Sequence, residues 1–172
     1  FEYWIYSPGE PIEPDYREPS SGGLIPFPKL PEEVQHLYLA VPKRLERLRE
    51  LARSIGEAVP PAEAGPTGTA DAIVHRLRDS LEYSYSLDAG IQDANIDPVE
   101  DFLFNRKTGH CEYFATSLAL LLRAEGIPSR MVTGYRGAVD LGDHEYEIQQ
   151  RHAHAWVEAW VDGHWLTLDA TP

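Results

Sequence analysis

The sequence predicts an α+β domain, helices first and an antiparallel sheet after them, on three observations. Before Gly126, apolar residues recur at helical spacing through successive segments. Past Pro128 the period falls to two, in runs that carry Val, Ile, Tyr and Trp. Near the end, Asp162-Gly163 lies between two such runs as a two-residue hairpin turn. Helices in one block and strands in another argue against an alternating α/β sheet.

The bulk properties bound the function. The chain has 172 residues, ordinary for one domain and enough to bury roughly 70% of its unfolded surface. A formal charge of -13 argues against phosphate backbones and anionic membranes, so no nucleic-acid partner is expected. No apolar run approaches the roughly 20 residues of a membrane span. The chain starts at Phe1 rather than methionine and is expected to be a piece of a longer parent. One cysteine cannot form an intrachain disulfide, so cysteine usage leaves the redox compartment open.

Taken in order, residues 1–31 hold seven prolines and no steady period, which predicts an extended Pro-rich arm pinned by Tyr3, Trp4, Ile5, Tyr6 and Phe27. The domain proper is expected over 32–172. From Pro42 a helical stripe of Leu45, Leu48, Ala52 and Ile55 faces away from a solvated run of Lys, Arg and Glu. A Pro/Gly loop over 60–68 precedes a second helix, capped by Thr67 or Thr69, with Ala70, Ile73, Val74, Leu77 and Leu81 on its apolar face. Tyr83, Tyr85 and Leu87 alternate with serines as a short extended segment. Asp97-Pro98-Val99-Glu100 is a helix start with a capping-box glutamate, and the short helix carries Phe102, Leu103 and Phe104 into the cysteine loop.

The chain is organised around its only cysteine. In Lys107-Thr108-Gly109-His110-Cys111-Glu112-Tyr113-Phe114 a loop closes at Gly109, and a strongly apolar helix begins at or just after Cys111. Phe114, Leu118, Leu121 and Leu122 form its buried stripe, and Gly126 and Pro128 end it. A lone cysteine is most often a small buried hydrophobe. At the first turn of a helix, however, it faces unpaired N–H groups and the positive end of the dipole, which favour the nucleophilic thiolate.

Four strand runs lie beyond Pro128, with Met131, Val132 and Tyr135 in the first, Tyr146 and Ile148 in the second, about Ala153 to Val161 as the third, and Trp165-Leu166-Thr167-Leu168 as the return strand. A two-residue loop at Asp162-Gly163 pairs Val161 with His164, so that Trp156 faces Asp169 and His154 faces Thr171. His154, Trp156 and Asp169 then share one face, with His154 and Asp169 diagonal neighbours roughly 7–8 Å apart. His152 falls on the same face one step further out and is the weaker base; His164 and Asp162 are solvent residues of the turn. The chemistry these types suit is acyl transfer: Cys111 attacks, His154 moves the proton, and Asp169 orients the imidazole and balances its charge. The Cys111 N–H is one oxyanion donor; Tyr83 and Tyr85 are better explained by packing than as a second.

The same residues resemble the transglutaminase-like superfamily. The blocks are Gly109-His110-Cys111-Glu112-Tyr113-Phe114-Ala115, Leu121 through Arg130, Gly134-Tyr135, His154-Ala155-Trp156-Val157-Glu158 and Leu168-Asp169-Ala170-Thr171-Pro172. The resemblance covers about 97–172 firmly and the two preceding helices more loosely. It implies a papain-like cysteine-protease/transglutaminase-core fold, a Cys-His-Asp triad and an acyl-enzyme formed on glutamine side chains or peptide-like amides. Its details are most similar to bacterial membrane-anchored members whose transglutaminase-like domain is extracytoplasmic. The implied partners are a protein or peptide substrate with a glutamine or amide group, and an amine or water as acceptor. A cysteine amidase or protease, and a non-catalytic binding module, are the alternatives, because fold alone does not settle the reaction. No cofactor is expected. A metal centre at His110, Cys111, His152 and His154 is not expected either, since the zinc-site spacings are missing, and no acidic loop has calcium-binding form.

Overall fold

The computed structural model describes residues 30, 32–88, 90, 93 and 95–172. The Pro-rich arm over 1–31 lies outside the described residues, Leu30 apart. The described chain forms two compact units, a smaller one of residues 133–154 and a larger one of the rest.

In the larger unit the helices are α1 (Glu32–Tyr38), α2 (Glu46–Ala58), α3 (Pro66–Arg78), α4 (Pro98–Asp101) and α5 (Cys111–Ala124). The expected stripes form the core. Leu48 and Ala52 of α2, Ile73 and Leu77 of α3, and Phe114, Leu118, Leu121 and Leu122 of α5 are all fully buried. Each such large side chain contributes about 1.5–3 kcal/mol relative to exposure, which is why α5 can be apolar on most sides. It ends at Gly126, whose φ of 76° suits glycine.

Four local expectations are corrected. Thr67 and Thr69 do not cap α3; Gly65 occupies the cap and Pro66 the first turn, where its missing N–H costs nothing. Thr67 Oγ1 instead donates to Asp162 Oδ2 at 3.3 Å. Leu81 is not on the apolar face of α3: the helix stops at Arg78, and Leu81 is exposed with φ 62°. The chain leaves the helix at Asp79, whose carboxylate is engaged by the His75 and Arg78 side chains, and Ser80 Oγ then accepts from Glu82 N at 3.3 Å. Asp97 does cap α4, accepting from Val99 N at 2.9 Å, but Glu100 does not turn back to it. Buried, it accepts from Leu48 N at 3.3 Å, serving the start of α2, whose own cap, Leu45, has no side-chain acceptor. Finally, Phe102–Arg106 forms a π-helical turn closed by Lys107 N donating to Phe102 O at 2.9 Å.

β1 (Ser84–Tyr85) and β2 (Thr108–Gly109) make a short parallel pair. β3 (Ser129–Tyr135), β6 (Ala153–Val161) and β7 (His164–Leu168) form a sheet in the order β3-β6-β7. β6 and β7 pair antiparallel from Val161 with His164 to Val157 with Leu168, in the register expected from the turn. Asp162 and Gly163 both have positive φ, 51° and 83°, as a type I′ turn requires. Ala155, Val157, Ala159 and Val161 are buried, while Trp156, Glu158 and Trp160 alternate with them on the half-buried face. Arg130 on β3 reaches Glu158 on that face at 2.6 Å and lies over the Trp165 ring at 4.1 Å.

The smaller unit carries β4 (Val139–Gly142) and β5 (Glu145–Glu147), an antiparallel hairpin turning at Asp143 and His144. The sequence predicts only its second strand, which stops short of Ile148. Its residues are almost all exposed, so no buried face imposes an alternation that a sequence could reveal.

Candidate active site

Cys111 is the first residue of the fourteen-residue helix α5, half-buried and in no disulfide. The residues before it determine how it is held. The π-turn ends at Lys107 in left-handed conformation, φ 54°, and β2 leads to Gly109. A Cβ on Gly109 would stand 3.0 Å from both Cβ and Cδ2 of Tyr113 and 3.2 Å from Cδ2 of Phe102, so only glycine fits without displacement. His110 is extended, φ -93° and ψ 176°, and gives no side-chain cap, leaving the first-turn N–H groups facing the mouth of the helix.

An aromatic wall backs this turn. Phe102, fully buried, touches Tyr83, Tyr113 and Phe114 with ring centroids 5.0–5.7 Å apart. The Tyr113 ring meets the edge of His110 at 4.9 Å, and the Arg106 guanidinium lies 4.1 Å over its centroid. Tyr83 is buried and donates its hydroxyl to Leu103 O at 3.2 Å; burial pushes its phenol up. It is a packing residue, as expected. The fully buried Asp101 accepts from Asp93 N and from Asn105 Nδ2, both at 3.1 Å. Sequence reasoning misses Asp101 and Arg106; the Asp-Asn pair four apart is the signal that it offers.

Asp169 comes directly after the last residue of β7 and is half-buried. Its Oδ1 accepts from Thr171 N at 3.0 Å, and its carbonyl accepts from Arg78 Nη1 at 3.3 Å. The Arg78 guanidinium is held above its ordinary value, chiefly by its hydrogen bond to Asp79, with Asp169 a smaller contributor.

In the smaller unit His154 is the second residue of β6, half-buried. His152 is not on that strand, a correction to its expected place on the sheet face. It closes a 3-10 turn (Gln150–His152), its Nδ1 accepting from Gln149 N at 3.0 Å. Arg136 N donates to His152 O at 2.8 Å, the same antiparallel register in which Trp160 N donates to Pro128 O. One register held between those two bonds sets Gly134 opposite His154, where the facing position has no side chain. Cys111 and Asp169 belong to the larger unit and His154 to the smaller. A cavity of about 560 Å³ lined by α2 and α3 residues such as Leu51, Ile55, Asp71 and His75 contains none of the three. Among the described residues no cluster of three or more His, Cys, Asp or Glu side chains could hold a metal ion.

A cysteine opening a buried helix, ahead of an antiparallel sheet, is the arrangement of the thiol enzymes of papain-like fold. The chain belongs to the transglutaminase-like superfamily, whose model matches residues 49–170. It is 35% identical over 122 residues to the protein-glutamine gamma-glutamyltransferase of Pseudomonas aeruginosa, a match covering 70% of this chain and 18% of that protein. The periplasmic domain of TgpA from Pseudomonas aeruginosa superposes with a TM-score of 0.71 at 32% identity, over 82% of this chain and 48% of that one. A Cytophaga hutchinsonii structure, named as a candidate cysteine protease, shares the fold at TM-score 0.57 and 24% identity, over 83% of this chain and 43% of that one. This chain therefore spans under a fifth of the curated relative and about half of the solved TgpA domain. The α+β, papain-like class expected from the sequence is the class of these structures.

Proposed function

We propose that this domain catalyses acyl transfer from glutamine side chains or peptide-like amides through a thioester on Cys111, with an amine as acceptor. The observation that carries the reading is a half-buried cysteine outside any disulfide, as the first residue of a buried helix, in a chain of this superfamily. The sulfur attacks the amide carbon, and the C–N bond breaks as His154 delivers the thiol's proton to the leaving ammonia. An incoming amine then attacks the thioester, loses its proton to His154, and releases the sulfur. Asp169 orients the imidazole and balances its positive form. The Cys111 N–H, at the positive end of α5, is a donor for the oxyanion.

The protein substrate class is taken from the name of the Pseudomonas aeruginosa relative, and no nucleic-acid partner is proposed for so acidic a chain. The likeness to the periplasmic domain of TgpA supports an extracytoplasmic location. Among the described residues no helix is long and apolar enough to cross a membrane. Incubation with a glutamine peptide and a labelled amine, with ammonia measured in parallel, tests the reaction. Labelled adduct, lost in Cys111→Ala, is the expected result. Ammonia or cleavage without adduct would replace the transferase with a hydrolase, and neither product would leave a binding module.

A further inference from the structure

We infer that Arg106 is a positioning residue for Cys111, acting through the ring of Tyr113. Its turnover readout rests on the acyl-transfer reading above; its structural readout does not. Tyr113 touches both residues that precede the nucleophile, Gly109 and His110. Its Cβ and Cδ2 occupy the space a Gly109 side chain would fill, its ring abuts His110, and its N–H donates to His110 O at 3.0 Å. The two residues before Cys111 and the second residue after it therefore move as one piece.

The Tyr113 ring is packed between Phe102, 5.7 Å away between centroids, and the Arg106 guanidinium, 4.1 Å from its own. Arg106 is itself tethered: Nη1 donates to Gly90 O at 2.9 Å, and it is the last residue of the π-turn that Lys107 N closes on Phe102 O. A permanently charged, half-buried planar cation on a ring face is a directional contact. Single-turn π-helices frequently mark functional sites, and here the extra residue re-aims the chain within five residues of the nucleophile.

A double-mutant cycle on the intact domain tests this. Arg106→Ala and Tyr113→Leu should each lower turnover about 10–100-fold with KM within about twofold, because misplacement of a reacting group acts on the transition state. The double variant should be no worse than the poorer single one, and Tyr113→Phe should retain activity, since it keeps the ring. Amide exchange at residues 109–113 should quicken about tenfold in both single variants while α3 keeps its protection. Losses that add in the double variant, or unchanged exchange at 109–113 in Arg106→Ala, would overturn the inference. If the wild-type domain transfers no acyl group, the reaction reading fails, and the exchange cycle still decides the role of Arg106.

Discussion

Gly109→Ala should separate the geometry around the nucleophile from overall stability. Gly109 is buried in β2, paired with Tyr85, and an added methyl would stand 3.0 Å from two Tyr113 carbons and 3.2 Å from one of Phe102. Ordinary carbon contacts lie at about 3.5–4.0 Å, so about half an ångström must be found. Phe102 cannot supply it, being fully buried between Tyr83 and Phe114. Rotating the Tyr113 ring does not suffice either, because one contact is to its Cβ, which moves only with the backbone of α5. The first turn must shift. Overpacking of this size costs about 1–3 kcal/mol, and in a chain of this length each kcal/mol lowers Tm by about 2–4 °C. A cost of about 2 kcal/mol thus predicts a drop of about 4–8 °C, with turnover per folded molecule down about tenfold or more. Gly126→Ala is the control. Nothing lies within 4 Å of a Cβ there, but φ is +76°, so backbone strain destabilises by about 1–2 kcal/mol beyond the far end of α5. Tm by circular dichroism and turnover at about 25 °C on both variants decide the matter. Wild-type Tm and turnover in Gly109→Ala, or an equal turnover loss in Gly126→Ala, would refute the reasoning.

Four further outcomes are expected. Glu100→Ala should destabilise by about 1–3 kcal/mol, because it strips Leu48 N of its buried acceptor, whereas Glu100→Gln should cost less; equal denaturant midpoints for the two would remove the cap. His154→Ala should abolish turnover, while His152→Ala should lose about 1 kcal/mol with its cap on Gln149 N and keep most activity; the reverse order in a steady-state assay would exchange their roles. Asp169→Asn keeps an oxygen for Thr171 N and should fold normally, yet under the proposed role of Asp169 in balancing the imidazolium it should lose about 10²–10⁴ in turnover; a lowered Tm with unchanged turnover would make Asp169 a turn residue only. Glu125 has its carboxyl raised by burial first, then by Glu57, against the pull of Arg53. A folded value above the unfolded one means that ionisation costs stability, a cost absent below about pH 4 and complete above the folded value. Glu125→Gln should therefore raise Tm at neutral pH but not at about pH 4, and a pH-independent difference would contradict this.

Legibility in the sequence tracks the range of the physics. The α5 stripe and the β6-β7 register depend on spacing within a few residues and on one turn, so they can be read directly, and Cys111 at the start of α5 comes with them. His152 is misplaced when strand alternation is carried back past Ala153, because the chain forms a 3-10 turn there instead. Glu100 is assigned to its own helix because a capping box is a local pattern, whereas its carboxylate serves a backbone N–H 52 residues away.

The segment Glu100-Asp101-Phe102-Leu103-Phe104 shows how such long-range roles could be recognised. The first four residues are buried in succession, two acids followed by two large apolar side chains, with Phe104 partly buried beside them. A helical face cannot sort residues that are contiguous, so the acids are surrounded on the same terms as the apolar ones. Burying a carboxylate without donors is prohibitive, which requires N–H groups from elsewhere in the chain. Leu48 N, Asp93 N and Asn105 Nδ2 supply them. Acids adjoining an apolar run thus mark where distant segments are fastened together, and in this chain that fastening lies a short stretch of backbone before Gly109, next to the proposed nucleophile.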